Sequence, residues 1–120
     1  MYGERDLAVL EHIVHHCERI ERIIVRLDHS YENLMRDPDL FDAISMNILQ
    51  IGELSGHLSD VSRETTKDKV PWRQVKDMRN RFAHGYWTMS SQEIFNTASV
   101  DIPTLKDLCK EFISGAKEQK

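Results

Sequence analysis

Residues 70–86 read VPWRQVKDMRNRFAHGY, and the prediction of both the fold and the chemistry of the chain starts from this stretch. Apolar residues recur in this stretch at steps of three and four, the spacing of one face of an α-helix. They are Trp72, Val75, Met78 and Phe82. Proline is favoured in the first turn of a helix and glycine just past its end. We therefore predict an amphipathic helix that begins at Pro71 and ends near Gly85.

Helical periodicity also covers most of the chain on either side. The other predicted helices cover residues 5–27, 38–58, 91 onward and 103 onward. The polar residues 61–69 predict a loop, and no segment shows the alternation typical of a strand. At 120 residues the chain can build one proper core. We expect a single all-α domain over residues 1–120, an antiparallel bundle of four main helices plus short helices.

Three helix starts carry residues that accept hydrogen bonds from the free N–H groups of a first turn. Asp37 precedes a proline, and Ser90 stands three residues before Glu93, as in a capping box. Ser30 with Asn33 suits a turn or a helix start before a short amphipathic turn. These residues predict where the chain enters its helices.

Small residues form a second stripe on the helix predicted over residues 38–58. They are Ser45, Gly52, Gly56 and Ser59. Glycine inside a helix costs about 1 kcal/mol relative to alanine, so it predicts close packing against a neighbour. The neighbour is either the first helix or a second subunit. Glu53 lies in this region, as a buried polar anchor or as an exposed charge.

Composition limits the classes of function. The net charge is −4, so any binding to nucleic acid must come from a local patch or from a groove in an assembly. Cys17 and Cys109 lie in apolar helical patterns without metal-type spacing, as expected for core residues of a reduced, cytoplasmic protein. Neither a signal peptide nor an apolar run long enough to span a membrane is apparent. No phosphate-binding loop or other cofactor motif is present.

The histidines of the first helix raise the question of a metal site. His12 and His16 are four residues apart on one helix face, a spacing that can hold a metal ion. Nothing nearby in the sequence completes the ligand set, so we predict no metal site.

Arg79 and His84 are the candidate catalytic residues. An imidazole can transfer protons near neutral pH, and a guanidinium can bind a phosphate through two hydrogen bonds. Together they are the minimum parts for cleaving RNA without a metal, with His84 as acid or base and Arg79 stabilising the transition state. Arg73, Lys76 and Arg81 add positive charge to the same helix for RNA binding.

Helix geometry separates these two side chains. At 100° per residue, Arg79 and His84 differ by about 140°. They converge if the helix unwinds near Ala83, or if a two-fold axis brings in the same stretch of a second subunit. Asn80 lies about 40° from His84, where it can hydrogen-bond the imidazole ring. The alternative is structural: Arg79 pairs with a glutamate of the helix over residues 38–58, and His84 satisfies a helix C-terminus.

The sequence matches the Arg-x4-His-x-Tyr signature of the HEPN superfamily, with Arg79, His84 and Tyr86 at its three fixed positions. The chain resembles the HepT-like toxins of HEPN/MNT toxin–antitoxin pairs over nearly its full length. The flanking matches are Ile51-Gly52-Glu53, Pro71-Trp72-Arg73, Met78-Arg79-Asn80 and Asp101-Ile102-Pro103.

The resemblance implies a HEPN-like helical homodimer with Arg79 and His84 at a shared cleft. It also implies a metal-independent endoribonuclease that cleaves tRNA or mRNA without a cofactor. An MNT-type nucleotidyltransferase would act as antitoxin by transferring AMP to Tyr86, where the added charge repels RNA. The alternative is a non-catalytic helical module that binds the nucleotidyltransferase; less favoured is a bundle that binds a metal or small ligand through the first-helix histidines.

Overall fold

A computed structural model of the protein describes residues 3–85 and 89–118, which form helices and no strand. The helices are α1 (Glu4–Arg26), α2 (Tyr31–Met35), α3 (Pro38–Ser55), α4 (Asp60–Thr66), α5 (Trp72–Gly85), α6 (Ser91–Asn96) and α7 (Ile102–Glu118). A π-helical turn, Thr97–Asp101, joins α6 to α7. The all-α prediction is confirmed. No helix within the described ranges combines the length and apolar character that a membrane crossing requires.

The four long helices, α1, α3, α5 and α7, surround one apolar core. α1 packs against both α3 and α7, and α3 also packs against α5, so α3 lies between α1 and α5. The core contains side chains with no exposed surface, namely Ile13, Cys17, Ile20, Ile44, Ile48, Ile51, Ile94 and Cys109. Complete burial of each large aliphatic side chain stabilises the fold by about 1.5–3 kcal/mol.

Both cysteines are free thiols in this core, as predicted from the apolar patterns around them. Burial raises the pKa of the Cys109 thiol to about 12. Burial, together with the nearby Cys109 thiol, raises the pKa of Cys17 still further. A thiol is nucleophilic only as the thiolate, so both side chains act as small apolar residues.

Helix starts follow the predicted capping residues. The carboxylate of Asp37 accepts a hydrogen bond from the Leu40 backbone N–H at 3.1 Å. Ser90 accepts from the Glu93 N–H, and Ser30 from the Asn33 N–H, each at 3.1 Å. The capping predictions are therefore confirmed, including the short helix α2.

The segment after α3 differs from the prediction. α3 ends at Ser55 instead of near Leu58, and residues 61–66 of the predicted loop belong to α4 (Asp60–Thr66). Ser59 begins α4, because its hydroxyl accepts from the Ser62 N–H at 3.1 Å. The helix gains its stability from contacts with distant parts of the chain, which sequence periodicity does not report.

Two such contacts hold α4 in place. The buried Asp6 carboxylate of α1 accepts hydrogen bonds from the Ser59 N–H at 2.9 Å, from the Ser59 hydroxyl at 2.7 Å and from the Ser62 hydroxyl. Burial acts to raise the pKa of Asp6, but the Ser62 and Ser59 hydrogen bonds outweigh it, and the pKa lies below its usual value. At the other end of α4, the Trp72 indole N–H donates to the Thr66 hydroxyl at 2.8 Å.

Candidate active site

Arg79 lies on α5 at the point where this helix comes closest to α3. A β-carbon added to Gly52 of α3 would lie 2.7 Å from Cγ of Arg79 and 3.2 Å from its Cα. Only glycine permits this approach, so the close packing predicted for Gly52 is present. The expected neighbour was wrong, because Gly52 faces α5 instead of α1 or a second subunit. Gly56, by contrast, is exposed, with only a backbone oxygen 3.4 Å from its added β-carbon.

Two neighbours orient the guanidinium of Arg79. Its Nε donates to Oε1 of Glu53, and its Nη1 donates to Oδ1 of Asn80 at 3.1 Å. The Arg79 and Glu53 side chains are 33% and 41% exposed, so the pair is neither buried nor free. The structural alternative, in which Arg79 pairs with a glutamate of α3, is observed. A guanidinium has five N–H donors, which leaves Arg79 with donors for an anion.

The α3–α5 groove is a surface cleft of about 510 Å³ beside Arg79. The described residues that line it are Gly52, Glu53, Ser55, Gly56, His57, Arg63, Trp72, Arg73, Lys76, Arg79 and Asn80. Four of these carry fixed positive charge, and Glu53 is the single acid among them. The groove is thus a local basic surface on a chain whose net charge is −4.

Of the side chains predicted to bind RNA, Arg73 and Lys76 line this groove and Arg81 does not. Arg81 forms an ion pair with Glu93 at 3.1 Å, directed toward α6. The hydrogen bond and charge of Arg81 lower the pKa of Glu93 below its usual value. The helix therefore divides its cations between two faces, because Arg81 lies about 160° around α5 from Arg79 and about 140° from Lys76.

Two groove residues, His57 and Arg63, were not predicted from the sequence. His57 follows the end of α3, and Arg63 belongs to α4, where it pairs with Asp60 at 2.6 Å. Both fall where the prediction placed the end of a longer helix and then a loop. The Ser59-Asp60 start of α4 was the available signal.

His84 lies apart from the groove. α5 stays helical through Gly85, so the unwinding near Ala83 that would bring Arg79 and His84 together is not present. His84 is exposed, and the neighbouring Ala83 faces a different cavity of about 340 Å³, shared with α3. Asn80, which we expected to hydrogen-bond the His84 ring, instead accepts from Arg79. Within one chain, therefore, Arg79 and Asn80 come together and His84 does not join them.

Tyr86, the predicted acceptor of AMP, lies outside the described residues. The α1 histidines are described: Nδ1 of His16 lies 2.8 Å from Oδ1 of Asn47 on α3. Within residues 3–85 and 89–118, no group of three or more His, Cys, Asp or Glu side chains is close enough to hold a metal ion.

Comparison with known proteins places the chain in a family. Residues 13–112 match the family model described as ribonuclease HepT-like. A protein named as a putative RNase, from Caldanaerobacter subterraneus subsp. tengcongensis, is 34% identical over 109 residues, which cover 90% of this chain and 94% of that protein. One named as a probable ribonuclease HepT, from Thermococcus cleftensis, is 29% identical over 98 residues, covering 81% and 86%. No solved structure gives a significant match. The chain belongs to the HepT-like family of HEPN ribonucleases.

Proposed function

We propose that the protein is an endoribonuclease toxin that cleaves tRNA or mRNA without a metal ion. The observation that carries the proposal is the α3–α5 groove, in which Glu53 and Asn80 orient the Arg79 guanidinium at a basic surface. Such a groove supplies the local patch that an acidic protein needs to bind RNA. The family match supports RNA as the substrate.

The reaction that these groups suit is attack by a ribose 2′-hydroxyl on the adjacent phosphate. A new bond forms from O2′ to phosphorus and the bond from phosphorus to O5′ breaks, which leaves a 2′,3′-cyclic phosphate and a 5′-hydroxyl. His84 either takes the proton of the 2′-hydroxyl while water protonates the leaving O5′, or protonates the leaving O5′ while water takes the proton of the 2′-hydroxyl. Arg79 stabilises the charge that accumulates on the phosphate oxygens.

The separation of His84 from the groove supports a composite site. A homodimer with a two-fold axis near α5 supplies His84 from one subunit and Arg79 from the other at one cleft. His84 is exposed and so available for this role. An MNT-type nucleotidyltransferase acts as antitoxin by transferring AMP to Tyr86, which follows α5 directly in sequence. The negative charge of AMP at the cleft then repels RNA.

The decisive experiment compares cleavage of bulk RNA by the parent, His84→Ala and Arg79→Ala proteins in excess chelator. We expect the His84 variant to lose about 10²–10⁴-fold in rate. The Arg79 variant should lose about 10²–10³-fold. Cleavage that requires added metal, or equal cleavage by all three proteins, would show the proposal to be wrong.

A non-catalytic module that binds the nucleotidyltransferase is the competing function. The ion pair between Arg79 and Glu53 also suits such a structural role. The two functions differ in a mixture of His84→Ala and Arg79→Ala subunits. A composite site regains activity when one intact cleft forms in the mixed dimer, whereas a docking module shows no cleavage in any combination.

AMP transfer is tested separately by mass spectrometry after incubation with ATP and the nucleotidyltransferase. The mass of one or more AMP groups should appear on the parent protein and be absent from Tyr86→Phe. Equal modification of both proteins would exclude Tyr86 as the acceptor.

A further inference from the structure

The outward face of α1 carries a second set of cations, remote from Arg79. Arg19, Arg22 and Arg26, here called the arginine row, lie within about 60° of one another around the helix. All three are exposed. The row is about 10.5 Å long, because seven residues separate its ends at 1.5 Å each.

Glu18 lies four residues before Arg22 and about 40° from it around α1, but the glutamates of this helix pair elsewhere. The acids toward α7 are neutralised by lysines of that helix. The ion pairs are Glu11–Lys117 at 3.6 Å, Glu18–Lys110 at 3.8 Å and Glu21–Lys106 at 2.8 Å. In the described part of the chain, no carboxylate forms an ion pair with any member of the arginine row. Three guanidinium groups thus remain available to an external anion.

The arginine row borders a second groove, of about 390 Å³, between α1 and α3. Its lining consists of the row together with Ile23 and Asn47. The Asn47 side chain is fixed, because its Nδ2 donates to the Ala43 carbonyl at 2.8 Å. Its Oδ1 therefore faces Nδ1 of His16 as an acceptor. His16 thus presents its other ring nitrogen, Nε2, away from Asn47.

The two grooves lie on either side of α3. Asn47 borders the second groove and Glu53 the α3–α5 groove, and they are about 120° apart around α3. Gln50, which is exposed, stands midway, about 60° from each. Because neighbouring helices lie about 8–10 Å apart, a flexible strand can cross α3 over Gln50 and contact both grooves.

We propose that the arginine row is a second binding site for the phosphodiester backbone of RNA, which reaches it from the α3–α5 groove across α3. The inference rests on the proposed ribonuclease function. Guanidinium groups bind phosphates through paired hydrogen bonds, and a row of three along a helix can follow successive phosphates of one strand. The row reads no base sequence; it lengthens the bound segment of substrate.

The test uses Arg19→Gln/Arg22→Gln/Arg26→Gln, since glutamine is nearly as good a helix former as arginine. Its matched control is Arg5→Gln/Arg36→Gln/Lys69→Gln, at exposed residues that line neither groove, which also removes three positive charges and takes the net charge from −4 to −7. A third variant replaces the row with lysines, which retain the charge. Thermal unfolding of all three establishes that they fold.

The probe is a labelled single-stranded 2′-deoxy oligonucleotide of about 20 nucleotides, which offers no 2′-hydroxyl for cleavage. At about 3.4 Å per nucleotide it is longer than the molecule, whose greatest extent is 47 Å. Fluorescence anisotropy gives its affinity over a series of salt concentrations. Cleavage of an RNA dinucleotide is measured beside it, because a dinucleotide is about 7 Å long and therefore shorter than the spacing of about 8–10 Å between neighbouring helices.

We expect the glutamine variant to bind the long probe about 10- to 100-fold more weakly at 0.1 M salt. The slope of log affinity against log salt should fall by about 2, or about 0.7 for each lost phosphate contact. The control and lysine variants should keep the parent slope, and the glutamine variant should cleave the short RNA at the parent rate.

Equal slopes for the glutamine variant and its control would overturn the inference. The inference would also be overturned if binding of the probe by the parent protein did not depend on salt. That result would indicate an acidic protein surface as the partner of the row. Row-dependent binding of the long probe without cleavage of any RNA would instead refute the proposed function and leave the second site intact. Cleavage of the short RNA, together with binding of the long probe that does not depend on the row, would refute the second site and leave the proposed function intact.

Discussion

Replacement of Gly52 by alanine should separate α3 from α5 and disturb the site with a single methyl group. The added β-carbon would lie 2.7 Å from Cγ and 3.2 Å from Cα of Arg79. A change of rotamer moves Cγ but leaves Cα in place, so the two helices must shift apart. The Arg79 guanidinium and its contact with Glu53 shift with them.

The size of the effect follows from two opposing contributions. Overpacking a close contact costs about 1–3 kcal/mol, and rigid backbone on both sides favours the upper end of that range. The better helix propensity of alanine offsets about 1 kcal/mol. We therefore expect a net loss of about 2 kcal/mol, which corresponds to about 8 °C in Tm for a chain of this length.

Calorimetry and RNA cleavage measure the two consequences of Gly52→Ala. Gly115→Ala in α7 is the matched control, because its added β-carbon meets nothing within 4 Å. The control should raise Tm by about 2–4 °C and leave cleavage unchanged. If Gly52→Ala were as stable and as active as the control, the close contact with Arg79 would not position the site.

Three further outcomes follow from individual side chains. Glu53→Gln removes the single acid among the described residues of the α3–α5 groove, so RNA affinity should rise severalfold. The cleavage rate should fall about tenfold, because Arg79 loses its charged partner. Weaker RNA binding by the variant would contradict this prediction. Asp6→Asn should lower the free energy of unfolding by about 1–2 kcal/mol at pH 7. The folded state lowers the pKa of Asp6, so its stabilisation is present above the unfolded pKa of about 3.9 and is lost as pH falls through the folded pKa. The difference in unfolding free energy between parent and variant, measured by urea titration, should therefore shrink as pH falls below about 3.9. A difference that stays constant over that range would refute the reasoning. Burial raises the pKa values of Cys17 and Cys109, so both should react with a thiol reagent at pH 8 only in denaturant. Rapid reaction of the folded protein would show that one of the two thiols is accessible.

Local signals in the sequence predicted most of the fold. Asp37, Ser30 and Ser90 cap helices as expected, because a cap depends on residues within one turn of it. α4 was missed because its ends are held by Asp6 and Trp72, which lie outside the segment itself. Periodicity reports the buried face of a helix but not its distant hydrogen-bond partners.

The candidate site was predicted in part. The residues of α5 were identifiable, since Arg79, Asn80 and the two groove cations share one helix. The role of Gly52 required the structure, because a small residue indicates close approach without naming the neighbour. The place of His84 in a complete site, and the role of Tyr86, remain predictions for the dimer and the modified protein.

The arginine row on α1 also affects how a polyanion first meets the protein. Ions in 0.01 M salt screen charges over about 30 Å, so an approaching RNA senses the net charge of −4 and is repelled. In 0.1 M salt the screening length is about 10 Å, and only the nearest cations act. Encounter is then productive from the side that bears the arginine row and the α3–α5 groove, and the association rate should pass through a maximum at intermediate ionic strength. The net negative charge thus weakens non-specific binding of RNA, while the local cations orient the RNA molecules that do bind.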